Sequence, residues 1–556
     1  MKTSKTCGYS LTRREWIAAA AIPVLSAKIK PLVEHSDILV YGATSGGVIA
    51  AVEAARIGKR VTLISRHRSV GGASSNGLGF ADVGNWRTIG GVAREFFHRL
   101  WLYYRGNAAW RWQTRDSYRS VRGQGPLAMD DKNQLMWVFE PHAAEYVFLQ
   151  MLTDAHVHLV YAKLERQADG VSRVGSNIHS LATTDGRIFT ADIFIDATYE
   201  GDLMAACGVR YTIGREPNSL YHETINGIER HLAIGNQLPR GIDPWRIPGD
   251  RGSGLLPGIF SGIDKPDGAG DKKVQAYGYR MCLTDVPENR VAVEKPVGYH
   301  QEEYELLFRA TACGVRRFFK LDMLPNRKTD SNNSGGMSTD YIGMSYGYPD
   351  GSDAERARIS RLHYRWQQGL VWTLQHHPRV PADIRAFYRP WGLPRDEFVQ
   401  TGHWPEEIYV REARRMVGEF VQTQHCVLDD SAVHDAALLG SYAMDSHNVQ
   451  RYVDHVGQVR NEGDVQRQVP RPYRVSWRIL LPHWSECRNL LVAAAVSSSH
   501  IGFGSLRLEP VFMMLGQVAG TAAGLSCIHH TNLHDLPYQA LRHRLLASHQ
   551  IIDRNG

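Results

Sequence analysis

Short apolar runs of strand length alternate with glycine-rich and helical segments near the beginning of the sequence. Asp37–Tyr41 is a run of apolar, β-favouring residues, and Arg60–Ile64 is a second one. Between them, Gly42–Gly47 is rich in glycine and Val48–Gly58 is rich in alanine, a pattern that predicts a turn followed by a helix. The pattern therefore predicts a strand–helix–strand unit of about 30 residues.

The turn in this unit has the glycine spacing of a dinucleotide-binding domain. Gly42 permits a tight turn, and Gly47 lets the helix approach the sheet closely. Thr44 stands where the middle glycine of the fingerprint is usual, so the backbone there is less free to approach a ligand. The first helical turn offers free N–H groups and the positive end of the helix dipole to a pyrophosphate. We therefore expect Gly42, Thr44, Ser45, Gly46 and Gly47 to contact a dinucleotide.

The end of the second strand leaves the identity of the dinucleotide open. Ser65 stands 23 residues after Gly42, where an acidic residue usually binds the ribose hydroxyls. A serine can still hydrogen-bond a ribose, but without the assistance of a charge. Arg66 and Arg68 follow and could instead pair with a 2′-phosphate, which would indicate NADP.

A second glycine-rich loop favours FAD over a nicotinamide cofactor. It covers Val70–Gly79, directly after the second strand, and contains Gly71, Gly72, Ser74 and Ser75. A nicotinamide-binding domain has no need of such a loop. Flavoproteins with two dinucleotide-binding domains have one where the chain passes the pyrophosphate and the ribitol. We therefore expect these four residues to contact FAD.

A later strand and turn agree with an FAD-binding domain. The apolar run Asp192–Ile195 leads into a polar turn that contains Ala197 and Thr198, which we expect beside the cofactor. Segments near Val157–Val160 and Ile178–Phe189 fit the β-meander that precedes this strand in such flavoproteins. The order of these segments predicts that the chain returns to the cofactor site after the meander.

The C-terminal region predicts one more buried strand and a long helix. Asn489–Val496 is a continuous apolar run, typical of a strand that is covered on both faces. Glu509 and Pro510 then open a helix with a stripe of glycines, spaced four apart from Gly516 onwards, that allows close approach to a sheet. We include Gly516 among the expected cofactor contacts.

These stretches resemble the FAD-dependent oxidoreductase family whose members are distantly similar to the flavoprotein component of heterodisulfide reductase, some bacterial members of which carry the label xanthan lyase. The resembling stretches are Gly42–Gly47, Val70–Asp82, Phe139–His142, Phe194–Asp202, Lys320–Tyr341, Tyr409–Gln424, Tyr442–Asn448 and Ser499–Gly520. The resemblance implies an α/β fold with a Rossmann-like, glutathione-reductase-like FAD-binding domain made of residues 35–215 and 475–556. A large α+β substrate or cap domain, residues 216–474, would be inserted between the two parts.

The cysteines limit what can be carried over from the relatives. The heterodisulfide reductase relatives contain iron–sulfur clusters, but here the six cysteines after Cys7 lie at least 31 residues apart and no CxxC occurs. We therefore expect no iron–sulfur cluster and no metal site. We also expect FAD to be held non-covalently, because Ser74, Ser75 and Asn76 occupy the flavin-proximal loop where a histidine would be needed for attachment.

The resemblance also directs the choice of catalytic residues. His500 lies in a glycine- and serine-rich loop that the resemblance places beside the flavin, so we expect it to act as the base. A buried histidine that is merely hydrogen-bonded is the alternative. Arg507, close to the start of the last helix, could stabilise the reduced flavin or a substrate carboxylate, and an interdomain salt bridge is the alternative.

Three polar segments supply further candidates. Tyr409–Met416 is interpreted as a helix with arginines four residues apart, most of which would pair with nearby glutamates. Two dense polar loops, around Thr329–Asn333 and Met444–Asn448, could either bind a substrate or only form turns. The candidates for catalysis are His447 and Arg411, and those for substrate binding are Asn332, Asn333, Asp340 and Arg414.

The N-terminal segment predicts export. Arg13 and Arg14 precede a mildly apolar run that ends near Ala27, which resembles a bacterial twin-arginine signal in residues 1–27. This segment carries +3 of the net charge of +7, so the remainder has no basic surface typical of nucleic-acid binding. No later apolar run is expected to reach the ~20 residues that cross a bilayer. We expect a periplasmic or secreted protein that uses the twin-arginine export machinery.

The sequence therefore predicts an exported FAD-dependent dehydrogenase or oxidase. Its substrate would be a small polar molecule such as a sugar, polyol or hydroxy acid, which gives a hydride to flavin N5 and ultimately electrons to an acceptor that the sequence does not identify. Two alternatives stay open at this point: an NADP-dependent reductase that uses Arg66 and Arg68, and a polysaccharide lyase.

Overall fold

A computed structural model describes residues 33–167 and 170–554 of the chain. The expected signal, residues 1–27, lies outside the described residues. A seven-stranded sheet forms the centre of the fold. Its strands, β1 to β7 in chain order, are Val33–Tyr41, Val61–Ser65, His158–Tyr161, Val171–Val174, Asn177–Ala182, Ile188–Asp196 and Leu490–Val492.

The sheet joins segments from both ends of the described chain. The strand order is β3-β2-β1-β6-β5-β4, and β7 also pairs with β6. The strands β3, β2, β1, β6 and β7 are parallel, with Leu39 opposite both Thr62 and Phe194, and with Leu491 opposite Ile195. The strands β4 to β6 form an antiparallel meander. A parallel core with a meander at one side confirms the predicted α/β, Rossmann-like fold class.

The apolar run of β1 is continuous because both faces of the strand are covered. Ile38 and Val40 pack into a large core that also contains the first helix, α1 (Ser45–Arg56), and the long C-terminal helix, α2 (Glu509–His529). Leu39 and Tyr41 pack into a second core on the opposite face of the sheet. Strands buried on both faces are typical of parallel sheets.

The remaining elements are mostly short. The other α-helices are Gly91–Arg105, Arg115–Tyr118, Pro141–Asp154, Asp202–Ala206, Asn218–Tyr221, Glu305–Ala312, Asp353–His376, Ala382–Tyr388, Gln424–Leu428, His500–Leu506 and Tyr538–Ala547. The other strands form antiparallel pairs and are Met129–Asp130, Leu135–Met136, Tyr211–Ile213, Arg290–Val291, Asp322–Leu324, Lys328–Asp330, Leu393–Pro394, Arg414–Met416, Ala436–Gly440, Met444–Ser446, Gln450–Val453, Val459–Glu462, Val465–Arg467 and Tyr473–Ser476.

The middle of the chain has a hydrophobic core of its own. This core surrounds the helix Asp353–His376 and takes in Trp366, Leu370 and Tyr388. It draws on residues between Leu238 and Val459. The proposed domain limits at 215/216 and 474/475 stay predictions.

The segment Tyr409–Met416 is not a helix, so its sequence-based interpretation is wrong. Its last three residues, Arg414–Met416, form a strand that pairs antiparallel with Tyr211–Ile213. The charged residues of the segment are buried and pair with distant parts of the chain, which overrides the local helical spacing. Arg415 contacts Glu412, but Arg411 pairs with Asp340 and Arg414 pairs with Asp202 and Asp350. The expectation that most of these arginines pair with nearby glutamates is therefore wrong.

The glycine stripe of α2 faces α1, not the sheet. A Cβ atom on Gly516 would overlap the carbonyl oxygen of Gly46, and one on Gly520 would overlap that of Ala50. The two helices therefore touch through their backbones. The structure places Gly516 at this contact, and its expected contact with the cofactor stays a prediction.

We expected no later apolar run to reach the length of a membrane span, and this expectation is wrong. At 21 residues, α2 is long enough and apolar enough for a membrane span, but 83% of its most apolar window is buried within the fold. Its apolar character fits the core position that it has between α1 and the neighbouring helices.

We expect Gly516→Ala to destabilise the protein by about 2 kcal/mol. The steric overlap at the backbone contact destabilises the fold by more than the higher helix propensity of alanine stabilises it. Gly524→Ala is the matched control, since a Cβ there meets only side-chain atoms of Ile57, at 3.0 Å. Thermal unfolding followed by circular dichroism measures the difference. Equal melting temperatures of the two variants would contradict this account of the contact.

Candidate functional site

The turn after β1 has the geometry of a dinucleotide-binding loop. Gly42 has φ +104°, and a Cβ there would lie 2.8 Å from the backbone nitrogen of Thr198, so no other residue fits without displacement. Thr44 caps α1: its Oγ1 accepts a hydrogen bond from the Gly47 N–H (3.2 Å) and donates one to the Ala197 carbonyl (2.8 Å). The structure thus brings Gly42, Thr44 and Gly47 together with Ala197 and Thr198.

Ser45 supports the assignment of a phosphate site to this loop. It is the first residue of α1 and is fully buried, and its hydroxyl makes no well-aligned hydrogen bond with a described residue, although it lies close enough to the Glu509 carboxylate to lower the pKa of that group. A hydroxyl without a well-aligned partner at the positive end of a helix is a donor suited to a phosphate oxygen. The residues present therefore fit the pyrophosphate of a dinucleotide.

The second glycine loop lies against the first. The Gly71 N–H donates to the Ala43 carbonyl (2.8 Å), and Gly71 and Gly72 have φ of +113° and +57°. The Ser75 hydroxyl donates to the Val70 carbonyl (2.7 Å), which fixes the turn. Other residues rarely adopt these positive φ values, so the course of the loop depends on the two glycines.

The end of β2 is less suited to a 2′-phosphate than the sequence indicates. The Ser65 hydroxyl donates to the His67 carbonyl (2.7 Å). The Arg66 guanidinium donates to Glu200 (2.6 Å) and contacts Asp202 (3.3 Å). Burial alone would lower the pKa of Arg66, but these carboxylates raise it well above its usual value. Because its charge is compensated, Arg66 offers no free cation to NADP.

A polar cavity of about 590 Å³ lies next to the second glycine loop, since Gly77 packs against the backbone of Arg280 in the cavity wall, and it brings five expected site residues together. They are Arg411, Arg507, His447, Asn332 and Asn333. The other lining residues are Asp82, Gly84, Gln124, Asn236, Arg280, Lys320, Ser334, Tyr409, Ser441, Tyr442, Ala443, Asp445, Gln466, Gln468 and Leu508. Five of the eight stretches that resemble the oxidoreductase family contribute to this wall.

Asp340 organises the expected catalytic residues although it does not line the cavity. One carboxylate oxygen lies 2.8 Å from Arg411 Nη1, and the other lies 2.9 Å from His447 Nδ1. Burial would raise the pKa of Asp340, but Arg411 and His447 lower it below its ordinary value. The Asp340 carboxylate is therefore ionised and holds the His447 ring in one orientation.

A second carboxylate approaches the same histidine from the other side. His447 Nε2 lies 3.5 Å from Asp445, and Asp445 also accepts a hydrogen bond from Arg507 (3.0 Å). Burial opposes ionisation of Asp445, but His447 and Arg507 lower its pKa well below the ordinary value. His447 thus lies between two ionised carboxylates, each of which is paired with an arginine.

His500 does not line the cavity, and its expected place beside the flavin stays a prediction. Its ring nitrogens contact Glu412 (2.7 Å) and the Ser446 hydroxyl (3.1 Å), and its side chain is only 3% exposed. Burial, together with Arg415, lowers the pKa of His500 to about 3. Both nitrogens are engaged within the protein, which is the buried, hydrogen-bonded arrangement that we named as the alternative.

Arg414 also lies away from the cavity. It contacts Asp202 (3.0 Å) and Asp350 (2.7 Å), in the ion cluster that holds Arg66. This cluster ties the strand Arg414–Met416 to the end of β6.

Sequence reasoning missed Arg280, Tyr409 and Lys320 in the cavity wall. Arg280 makes two hydrogen bonds to Asp330 (2.8 and 2.6 Å), and the Tyr409 ring lies between Arg280 and Arg411. Arg280 is the single charge in the otherwise mostly apolar segment 274–283. A lone charge in such a segment is rarely buried without a partner, and this signal could have pointed to it.

One group of two buried carboxylates and a half-buried histidine has the spacing of metal ligands. Glu140, His142 and Glu397 lie close enough together to hold an ion. The Lys328 ammonium lies 2.9 Å from Glu140 and 2.6 Å from Glu397, so a cation from the chain itself compensates their charge. The expectation that the protein has no metal site stays a prediction.

The sheet, the two glycine loops and the adjoining polar cavity define the class of dinucleotide-binding flavoproteins. The model of the family described as FAD dependent oxidoreductase matches residues 37–545, most of the chain. The chain therefore belongs to the FAD-dependent oxidoreductase family. The prediction of an FAD-dependent oxidoreductase enzyme is confirmed.

Solved structures with partial similarity include two dehydrogenases. L-Proline dehydrogenase from P. horikoshii has 19% identity and a TM-score of 0.23, over 34% of this chain and 59% of that one. The 3-ketosteroid-Δ4-(5α)-dehydrogenase from Rhodococcus jostii RHA1 has 15% identity and a TM-score of 0.20, over 33% of this chain and 50% of that one. TM-scores this low carry no argument about the reaction. No curated protein sequence matches the chain.

We expect Asp340→Asn to lower the stability by about 3 kcal/mol at pH 7, because it leaves the buried Arg411 without its counter-charge. Since the pKa of Asp340 lies below 3.8 in the folded protein, its stabilising effect is complete above that pH and is lost as the pH falls through the folded value. The gap between wild type and variant should therefore narrow toward pH 3.

Urea unfolding between pH 7 and pH 3 measures this gap. Asp350→Asn is the control, because that carboxylate is 55% exposed and its pair with Arg414 is expected to contribute less than about 1 kcal/mol. A penalty for Asp340→Asn that does not change with pH would contradict the assigned charge state.

Proposed function

We propose that this protein is an exported FAD-dependent oxidoreductase that oxidises a small polyhydroxylated molecule, such as a sugar, polyol or hydroxy acid. The observation that carries the proposal is the polar cavity beside the cofactor loops. Nearly all of its wall consists of hydrogen-bonding side chains, and its volume of about 590 Å³ suits a ligand of one or two sugar rings. Asn332, Asn333 and Asn236 offer both donors and acceptors, which hydroxyl groups need.

His447 is the group that we propose to take the hydroxyl proton. Asp340 orients its ring through Nδ1, so that Nε2 is the nitrogen available toward Asp445 and the cavity. The proposed step starts from the neutral ring, and the contacts by which His447 lowers the pKa values of Asp340 and Asp445 are those of the imidazolium that the step forms. Arg411 and Arg507 balance the carboxylates before the proton moves, so the resting site holds no excess negative charge.

FAD, when bound, supplies the two-electron acceptor for a hydride that leaves the substrate carbon for flavin N5. Gly42, Thr44, Ser45, Gly46 and Gly47 would hold its pyrophosphate, with Gly71, Gly72, Ser74, Ser75, Ala197 and Thr198 around them. We propose that this binding is non-covalent, because serines and an asparagine occupy the second loop. We further propose that no iron–sulfur cluster is present, from the wide spacing of the cysteines.

The alternatives are less well supported. An NADP-dependent reductase would use Arg66 and Arg68, and Arg66 is already engaged by Glu200 and Asp202. A polysaccharide lyase would have no use for two glycine loops that belong to an FAD-dependent family.

We expect His447→Asn to slow flavin reduction at least about 100-fold while the flavin content of the purified protein stays unchanged. Anaerobic bleaching of the flavin absorbance across sugars, polyols, hydroxy acids and amines first identifies a substrate for the wild type, and stopped-flow measurement then compares the variant. His231→Asn is the control, because that side chain is 86% exposed. Wild-type rates in His447→Asn would remove His447 from the reaction, and a purified protein that never takes up FAD would refute the function.

We expect a change of both Arg13 and Arg14 to lysine to retain the protein in the cytoplasm. The twin-arginine machinery requires the arginine pair itself, and the lysines preserve the charge. Immunoblots of cytoplasmic and periplasmic fractions measure the distribution, with Lys5→Arg as a control that leaves the pair intact. Undiminished export of the double variant would contradict the assigned signal.

A further inference from the structure

A buried carboxylate occupies the phosphate-binding end of the cofactor site. Glu509 accepts hydrogen bonds from the Tyr199 hydroxyl (2.7 Å) and from the Ser74 hydroxyl (3.0 Å). The Tyr199 oxygen in turn accepts the Ala73 N–H (2.9 Å). We call Ser74, Tyr199 and Glu509 the Glu509 cluster. The cluster connects the second glycine loop, through Ser74 and the Ala73 N–H, to the first residue of α2.

Two positive helix ends converge on this cluster. Glu509 is the first residue of α2, and Ser45 is the first residue of α1. The helices run side by side with their N-termini at the same end, since Gly516 meets Gly46 and Gly520 meets Ala50. The aligned dipoles favour an anion at this end. In the chain alone, that anion is Glu509.

The donors that Glu509 and Tyr199 use are those that a pyrophosphate needs. The Ser74 hydroxyl and the Ala73 N–H belong to the second glycine loop, and both are engaged within the cluster. Glu509 is only 4% exposed, and burial raises its pKa while the Tyr199, Ser45 and Ser74 hydroxyls oppose the shift. A buried carboxylate and a pyrophosphate at one site repel each other strongly, because little water screens them.

We propose that Glu509 is an internal competitor for the cofactor: it holds the phosphate-binding donors while FAD is absent, and it must release them when FAD binds. The inference rests on the proposed use of FAD and concerns only how the site receives it. Glu509 therefore weakens FAD binding, and it satisfies the hydrogen-bond donors of the site while FAD is absent. Tyr199 supports this state, because its hydroxyl bridges Glu509 to the Ala73 N–H.

The test is a titration of flavin-free protein with three probes: FAD, ADP and riboflavin. Flavin fluorescence reports FAD and riboflavin, and calorimetry reports ADP. Glu509→Gln keeps the shape but removes the charge, so we expect the Kd values of FAD and ADP to fall about tenfold. The Kd of riboflavin, which carries no phosphate, should not change. Tyr199→Phe should shift FAD and ADP in the same direction by a smaller factor.

Glu53→Gln is the matched control, because Glu53 is a carboxylate on α1 that is 2% exposed but bonds to Thr521 and Ser548 instead. It should leave all three Kd values unchanged. Circular dichroism establishes whether each variant is folded. If Glu509→Gln does not fold, Tyr199→Phe serves as the test variant.

Two failures are distinguishable. FAD and ADP binding that is unchanged or weaker in Glu509→Gln, with normal FAD binding by the wild type, would overturn the internal competitor and leave the proposed function intact. If FAD binds to neither wild type nor variants, the proposed function fails, and this inference fails with it.

Discussion

The backbone contact between α1 and α2 is the constraint on which the cofactor site depends. Because Gly46 and Gly516 lack side chains, the helices approach until their backbones touch. This approach places the first residues of both helices, Ser45 and Glu509, at one end of the sheet. A larger residue at the crossing would separate the two positive helix ends and would weaken the anion site that they share.

Charge compensation governs the neighbouring cavity. Arg280, Arg411 and Arg507 all line it, and each has its own buried or half-buried aspartate: Asp330, Asp340 and Asp445, respectively. Buried charges are tolerated only in such pairs. The resulting wall is dense in hydrogen-bonding groups but has little net charge, which favours a ligand with many hydroxyl groups over one with several charges. The same pairing leaves His447 between two carboxylates, those of Asp340 and Asp445.

Local sequence patterns predict the parts of this fold that depend on near neighbours. The apolar runs and glycines around Gly42 and Val70–Gly79 predict the first strands, the helix and both loops, since hydrophobic alternation and turn geometry are local properties. The polar segments and the family resemblance, in contrast, select the five expected residues that the structure places in one cavity. Local patterns fail where partners are distant in sequence. His500 is buried and contacts Glu412, which its position in a loop does not reveal. The arginines of Tyr409–Met416 pair with Asp202, Glu216 and Asp340, which lie far away in the sequence, so the helical spacing of the segment is misleading.

Three consecutive residues connect the two halves of the site. Arg507 and Leu508 line the cavity, and Glu509 belongs to the cluster at the phosphate-binding end. Arg507 is fixed by Asp445, which also contacts His447. If FAD binding withdraws Glu509 from Ser74 and Tyr199, as we propose, the change takes place two residues from Arg507, at the start of a helix whose glycines hold it against α1. The cofactor site and the arginine that pairs with Asp445 are therefore neighbours in the chain, and Asp445 in turn contacts His447.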